Sequence, residues 1–483
     1  MSTTCVTMTT VLFLLLATTK TPLALQELEA IQALTLDSKS WVQFYATKLR
    51  DSNQNGQVGV ALSDCARFYD ENEYMLGTLL GGGDYTSDDA RTWLSGVLTN
   101  HRTCLDGLDD RGFDQRFEGA KNLTVLLGEA LALSDAIANN AQTRGLPLPP
   151  DQNSGPLLTS WNPSTSKANF IVAKDGSGTH NTINDVVNAV VGMGKMREQR
   201  VVIYVKAGVY KEKVEIDMYT RNIMLVGDGI DRTIVTGNRN YIDGYSTTNS
   251  ATFGVSGNGF WARDITFENT AGPEKDQAVA LRVSSDRAVF YRCSFKGYQD
   301  TLYVLSQRQF FRDCHIYGTI DFIFGNAQVV FQNCDIFVRR PLSHQSNMVT
   351  AQGRQAANED TGISILESRV RPAPEFVGVK NSFKSYLGRP WKQYSRTVFM
   401  KTDLDGLIDP EGWREWRGNF ALSTLFYAEY MNIGAGASTA GRVRWPGYHV
   451  LNSPQEAIPF TVKGFIQGDL WIPQTGVPFN QGI

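Results

Sequence analysis

The sequence predicts a mainly β solenoid preceded by a small α-helical bundle, and three observations carry that expectation. The first is a repeat. Asp300 and Asp321 lie 21 residues apart, Cys293, Cys314 and Cys334 follow one another at 21 and 20, and so do Phe290, Phe311 and Phe331. Three residue types sharing a period of about 20–25 residues mark a solenoid. Residues one period apart then stack on adjacent coils, about one strand spacing (~4.8 Å) from each other. The second is texture. From Ala168 onward, short β-branched runs such as FIVA, RVVIYVKAG, IMLVGD, TIVTGN and ARDITFEN recur between Gly, Asn and Asp. They are shorter and less regular than the strands of a sandwich. The third is a contrast: from about Gln26 to Arg144, LQELEAIQAL, DARTWLSGVLTNHRTCL and LTVLLGEALALSDAIANNA place apolar residues at helical spacing.

With 483 residues the chain exceeds one ordinary core, so two domains are expected. Residues 1–24 contain Val11–Ala17 (VLFLLLA), a stretch of signal-peptide length and too short to span a bilayer core of ~30 Å. No basic residue precedes it, so a buried helix start is the competing reading. Secretion would make Asn122-Leu-Thr a glycosylation acceptor. Residues 25–145 read as the helical bundle, with Ser87-Asp88-Asp89 as an N-cap and acidic first turn. Residues 146–167 (LPLPPDQNSGPLLTSWNPSTSK) have no periodicity and read as a linker without a dibasic processing site. Residues 168–483 form the solenoid. Within it, Asn184–Met193 (NDVVNAVVGM) reads as a helix that caps the open end, and after Trp416 the pattern loosens into a tail packed along the outside.

A net charge of −3 does not suggest nucleic-acid binding, which needs a clustered basic surface. No later segment approaches a membrane span. Of six cysteines, Cys5 falls in the signal-like stretch. In an oxidising compartment Cys65–Cys104 and Cys314–Cys334 are plausible disulfides, with Cys293 as the odd thiol, although sequence alone does not fix the pairing. The five histidines are scattered and no Cys/His group has zinc spacing.

Elimination narrows the chemistry. There is no G-x-S-x-G nucleophile elbow and no phosphate-binding P-loop, and GDG at Gly227–Gly229 is a turn. Carboxylates remain. Two stacked carboxylates can act as nucleophile and acid/base, or hold a cation. If they are close, their like charges push one pKa up and keep that group protonated as a general acid. A lone aspartate in a turn more often just caps it. The matched coil positions of Asp300 and Asp321, amid aromatic neighbours, favour the functional reading.

Five segments then carry a resemblance. GVYKEKV (208–214), QAVAL (277–281), GYQDTLY (297–303), GTIDFIFGNA (318–327) and LGRPW (387–391) resemble, in order, the signature segments of plant pectin methylesterases. The similarity runs from about Asn169 nearly to the C-terminus. LTLDSKSWV, ALSDCARFYDE and DARTWLSGVLTNHRTCLDG resemble the pectin methylesterase inhibitor domain found as a pro-region in many of these enzymes. The resemblance implies a right-handed parallel β-helix with its site in a cleft along the outer face. It implies Asp321 as the nucleophile on the C6 methyl ester of a galacturonate, and Asp300 as the acid/base that protonates methanol and then activates water. It further implies Gln277 and Gln299 as amide donors to the oxyanion, Arg389 as the holder of the nucleophile, Trp391 as an aromatic wall and Thr247 as a substrate contact.

These roles suit the residues. A carboxylate nucleophile must stay ionised, which a bidentate guanidinium favours. Amide donors to an oxyanion are each worth about 2.7–4 kcal/mol. Tyr303 and Phe324 offer further faces for sugar stacking, with core packing as the alternative for Phe324, and Trp413 is an additional aromatic candidate. No metal or organic cofactor is implied. The expected enzyme is a secreted pectinesterase of the plant cell wall or apoplast, acting on methyl-esterified homogalacturonan, with an intramolecular or separate inhibitor domain as partner. Its competitors are a pectin-cleaving β-helix glycosidase or lyase and a non-catalytic inhibitory wall protein. Two departures stand out: no cysteine-paired helical hairpin precedes Gln26, and the linker lacks the dibasic site common in the family.

Overall fold

The computed structural model describes residues 23–51, 56–82, 85–113, 115, 119–134, 137 and 157–483. The signal-like residues 1–22 lie outside them. Among the described residues, four helices make the N-terminal bundle: α1 (Leu23–Asp51), α2 (Gln57–Leu80), α3 (Ser87–Asp110) and α4 (Ala120–Ala132). Leu62, Leu76, Leu94, Val97, Leu98 and Leu127 meet in its core. Cys65 and Cys104 bridge α2 to α3, as expected. The start of α3 differs by one residue from the sequence reading. Its N-cap is Thr86, whose hydroxyl accepts from the Asp89 amide while the Asp89 carboxylate accepts from the Thr86 amide. Asn122 is exposed in the first turn of α4.

The second half of the linker stretch is packed. A short helix, α5 (Leu157–Ser160), and Trp161 lie against the β-body, where the Arg263 guanidinium donates to the carbonyls of Leu158, Thr159 and Trp161. Beyond it the chain coils through three parallel sheets. A back sheet runs from Phe170–Val172 to Tyr448–Val450, and a side sheet from Gly208–Lys211 to Asp403–Leu404. A floor sheet runs from Val214–Ile216 through Phe253–Val255, Leu281–Val283, Leu302–Val304, Ile323–Gly325 and Asn347–Gln352 to Ser385–Gly388. Successive coils are in register: Phe290 pairs with Phe311 and Phe311 with Phe331, and their rings stack at 4.7 and 4.6 Å. The repeat read in the sequence is the height of one coil. Helix α6 (Ile183–Gly192) closes the N-terminal end with Ile183, Val186, Val187 and Val190 turned into the core. The tail segments Val462–Ile466 and Gly468–Trp471 cover the back sheet.

The corner between back and side sheets explains the cysteines. In successive coils it is turned by one residue with left-handed backbone: Asp264, Arg292, Asp313, Asn333, Glu367 and Lys401. The next residue points inward, namely Ile265, Cys293, Cys314, Cys334, Ser368 and Thr402, and all six are buried. The Cys314–Cys334 disulfide expected from the spacing is therefore not formed, and both residues are buried thiols, as is Cys293. Stacked parallel neighbours stand ~4.8 Å apart, whereas a disulfide needs its Cβ atoms at about 3.8 Å. Five of the six side chains, all but Ile265, instead donate to the carbonyl two residues back: Cys293 to Tyr291, Cys314 to Arg312, Cys334 to Gln332, Ser368 to Leu366 and Thr402 to Met400. From Cys293 onward the position holds a small side chain with a donor, and sulfur and oxygen both serve.

Candidate active site

The opposite corner, where each coil turns from side sheet into floor sheet, presents the two aspartates. Asp300 and Asp321 both have left-handed backbone, at φ 63° and 52°, a conformation aspartate tolerates better than most residues. The Asp300 amide donates to the Ile320 carbonyl at 3.0 Å, so the two carboxylates occupy one corner on adjacent coils. Gly325, which closes the GTIDFIFG segment, has φ 131°, and a Cβ there would stand 2.0 Å from the Val304 carbonyl oxygen. Only glycine lets these coils approach.

Arg389 follows the floor strand Ser385–Gly388, and its amide is anchored on the Thr350 carbonyl. Its guanidinium grips Asp321 with both arms, Nε to Oδ1 at 2.9 Å and an Nη to Oδ2 at 2.7 Å. Burial raises the Asp300 carboxyl well above its ordinary 3.8, the Asp321 charge pushes the same way, and Arg389 offsets part of the rise. One carboxylate is thus held by two charge-assisted bonds while its neighbour favours the protonated form.

Gln277, Gln299, Thr247, Tyr303, Phe324 and Trp391 line the same cavity of about 360 Å³ as the two aspartates. The floor carries an outward-facing column, Glu215, Gly254, Arg282, Tyr303, Phe324 and Ala351, one residue per coil. Tyr303 and Phe324 stack at 4.2 Å within it, and Phe324 meets Trp391 edge-on at 6.0 Å. Phe324 therefore faces the cavity, not the coil interior. Trp413 does not reach the site. It is buried in the solenoid core, stacked on Tyr427 at 4.2 Å with its indole N–H toward Glu429. The aromatic that meets Arg389 is Trp416, whose ring lies 4.4 Å from the guanidinium carbon. The sequence reading missed it because both tryptophans stand in WREW, in an irregular stretch without period.

The bundle roofs this cavity. Ala61, Asp64 and Phe68 of α2 and Thr103, Asp106 and Asp110 of α3 line it from above. Polar contacts fix the roof. The Arg308 guanidinium is shared between Asp89 of α3 and Asp286, Arg102 pairs with Glu359, and Lys392 with Asp106. Arg111 donates to the Tyr245 carbonyl. No sequence pattern announced these pairs.

A parallel β-helix whose outer cleft holds an arginine-clamped aspartate beside a second, buried one belongs to the class of β-helix proteins with a carboxylate centre. Comparison with known proteins places the chain within that class. A family model described as Pectinesterase matches residues 169–469, and one described as Plant invertase/pectin methylesterase inhibitor matches residues 11–133. A probable pectinesterase/pectinesterase inhibitor of Arabidopsis thaliana is 56% identical over 95% of this chain and 94% of its own length. Pectinesterase 2 of Citrus sinensis is 48% identical over 93% of this chain and 87% of its own. Among solved structures, the pectin methylesterase from carrot superposes with a TM-score of 0.65 at 53% identity, covering 67% of this chain and all of that one. The chain belongs to the pectinesterase family and carries an inhibitor-type domain at its N-terminus.

Proposed function

We propose that the chain hydrolyses the methyl esters of galacturonan in the plant cell wall, releasing methanol and leaving carboxylates. The observation that carries this reading is the two-armed grip of Arg389 on Asp321 beside a buried Asp300 that favours its proton. An Asp321 oxygen attacks the C6 ester carbonyl. The amides of Gln277 and Gln299, in the same cavity, donate to the oxyanion that forms. The tetrahedral adduct expels the methoxy oxygen, which takes the Asp300 proton and leaves as methanol. Asp300, now a carboxylate, removes a proton from water as that water attacks the acyl carbonyl. Cleavage of the acyl–Asp321 bond frees the galacturonate, and Asp300 keeps the proton for the next turn. Trp391, Tyr303, Phe324 and Thr247 hold the sugar chain.

The bundle acts as an intramolecular inhibitor, since its helices stand where the polysaccharide must lie. Residues 1–24 serve as the signal peptide, 25–145 as the inhibitor domain, 146–167 as the connection and 168–483 as the esterase, with Asn122 as a glycosylation site on the secreted chain. The test is product analysis of the 157–483 segment on methylated pectin. Methanol without new reducing ends or unsaturated sugars is expected, and chain scission without methanol rules the esterase out. Asp321→Ala should abolish methanol release, and unchanged release removes Asp321 as the nucleophile.

A further inference from the structure

The side-to-floor corner that presents the aspartates continues toward the N-terminus of the solenoid. One coil before Asp300 it presents Gln277, and one coil before that the short helix α7 (Thr247–Ser250) with its cap Ser246. There the roof inserts a carboxylate. Asp64 of α2 accepts from the Ser246 hydroxyl at 2.5 Å through one oxygen and from the Asn249 side-chain amide at 2.7 Å through the other. Both donors belong to the β-body and Asp64 to the bundle.

The ground beneath is positive. Arg282 of the floor column is fully buried, donates to the Thr248 carbonyl and contacts Glu215, and its Nε has no hydrogen-bond partner among the described residues. Lys213 also pairs with Glu215. Two cations against one anion leave the β-side of this spot with a surplus positive charge. Burial under the roof raises the Asp64 carboxyl, while Arg67, the Ser246 hydroxyl and Arg282 pull it down and Glu215 sides with burial. Three of those groups, Ser246, Arg282 and Glu215, stay on the β-body if the helices leave, and the burial cost falls.

We propose that Ser246 and Asn249, backed by Arg282, form a subsite for the free carboxylate of a uronic acid, which Asp64 occupies when the bundle is docked. The inference rests on the galacturonan-esterase reading and names the form of substrate it selects. The site lies two coil heights, about 10 Å, from Asp300 along the corner row. A sugar chain laid along that row with its ester at the aspartates brings another C6 group to Ser246 and Asn249. Two donors and a cation suit a carboxylate there and leave a methyl ester, which carries no charge, with less to gain. The β-body thereby favours a chain already de-esterified on that side.

The test uses residues 157–483. The two clusters inside the solenoid and behind its back sheet draw on no bundle residue, only outer-face residues such as Tyr303 and Phe324 pack on the helices, and the carrot structure spans a chain of that extent. Asp321→Asn stops turnover, and calorimetric titration then compares an unesterified galacturonate hexamer with its fully methyl-esterified form. Ser246→Ala should weaken the unesterified hexamer about tenfold and the esterified one less than about threefold, the loss expected for one hydrogen bond to a charged group. Asn249→Asp, which turns a donor into a like charge, should do the same or more and serves if Ser246→Ala does not fold. Equal losses on both ligands, or none on either, overturn the proposal. Methanol release by the unmodified segment is measured separately, so loss of the esterase reading is visible apart from loss of the subsite.

Discussion

At the level of single residues, the two aspartates are unequal because their surroundings are. Asp321 has a guanidinium across both oxygens, and Asp300 has burial and a neighbouring charge. A carboxyl whose pKa is raised on folding binds its proton more tightly in the folded chain. Folding stability then falls as pH rises above the ordinary 3.8 toward the raised value. Asp300→Asn removes that cost. Its melting temperature should exceed that of the parent at pH 7, and the gain should vanish below about pH 4. A melt series across pH that shows no gain at neutrality contradicts the raised pKa. Activity should likewise decline as pH rises through the Asp300 transition, when the acid is lost. Arg389→Lys keeps a charge but loses the fork, so kcat should fall about 10–100-fold with less change in KM. A rise in KM with kcat unchanged would mean that Arg389 serves binding alone. These residues were legible because each sits in a segment with fixed neighbours, QAVAL, GYQDTLY, GTIDFIFGNA or LGRPW. The exchange of Trp413 for Trp416 was not, since nothing local distinguishes two tryptophans three residues apart in an irregular loop.

The elements repeat one solution. The floor strands of the central coils turn Leu281 and Val283, Leu302 and Val304 inward and Arg282 and Tyr303 outward, and one left-handed residue turns the back corner in each of six successive coils. The period of 20–21 residues was therefore readable, because in-register stacking forces like residues to recur at the height of one coil. What the cysteine spacing could not reveal is whether neighbours bond to each other or each to the backbone. Ser368 and Thr402 in equivalent positions decide for the backbone. Cys314→Ser should accordingly fold with a melting temperature within a few degrees of the parent, a change of about 1 kcal/mol or less. Loss of folding on that substitution would reinstate a covalent role. Boundaries set by side-chain capping were less visible, as the shift from Ser87 to Thr86 illustrates.

Across the whole molecule, the bundle's apolar core extends onto the outer face of the solenoid through Ala251, Val279, Tyr303, Leu305, Phe324 and Ala351, and charged pairs frame that contact. Asp89 performs two tasks there, closing the capping box of α3 and holding Arg308 together with Asp286. Asp89→Asn leaves buried guanidinium groups short of an anion, a defect of about 3–5 kcal/mol. Methanol release by the full chain should rise toward that of the 157–483 segment. An unchanged ratio between the two would show that the roof does not limit access. The pairing of Asp89 with Arg308 and Arg287 was not legible, because each pair joins residues some 200 positions apart whose types alone fit any surface. The passage from helices to parallel strands was nonetheless readable, since the hydrophobic period changes from helical to strand-like on either side of the Pro-rich stretch.

The ladder of corner thiols has one more consequence. Burial pushes the Cys293 thiol up to about 12, and Cys314 is raised well beyond its usual range by burial and then by Cys334. Sulfur in that state does not react with an alkylating reagent until the coil around it opens. The chain therefore contains its own stopwatch. The rate at which iodoacetamide labels each of three consecutive coils reports, coil by coil, how the solenoid unzips.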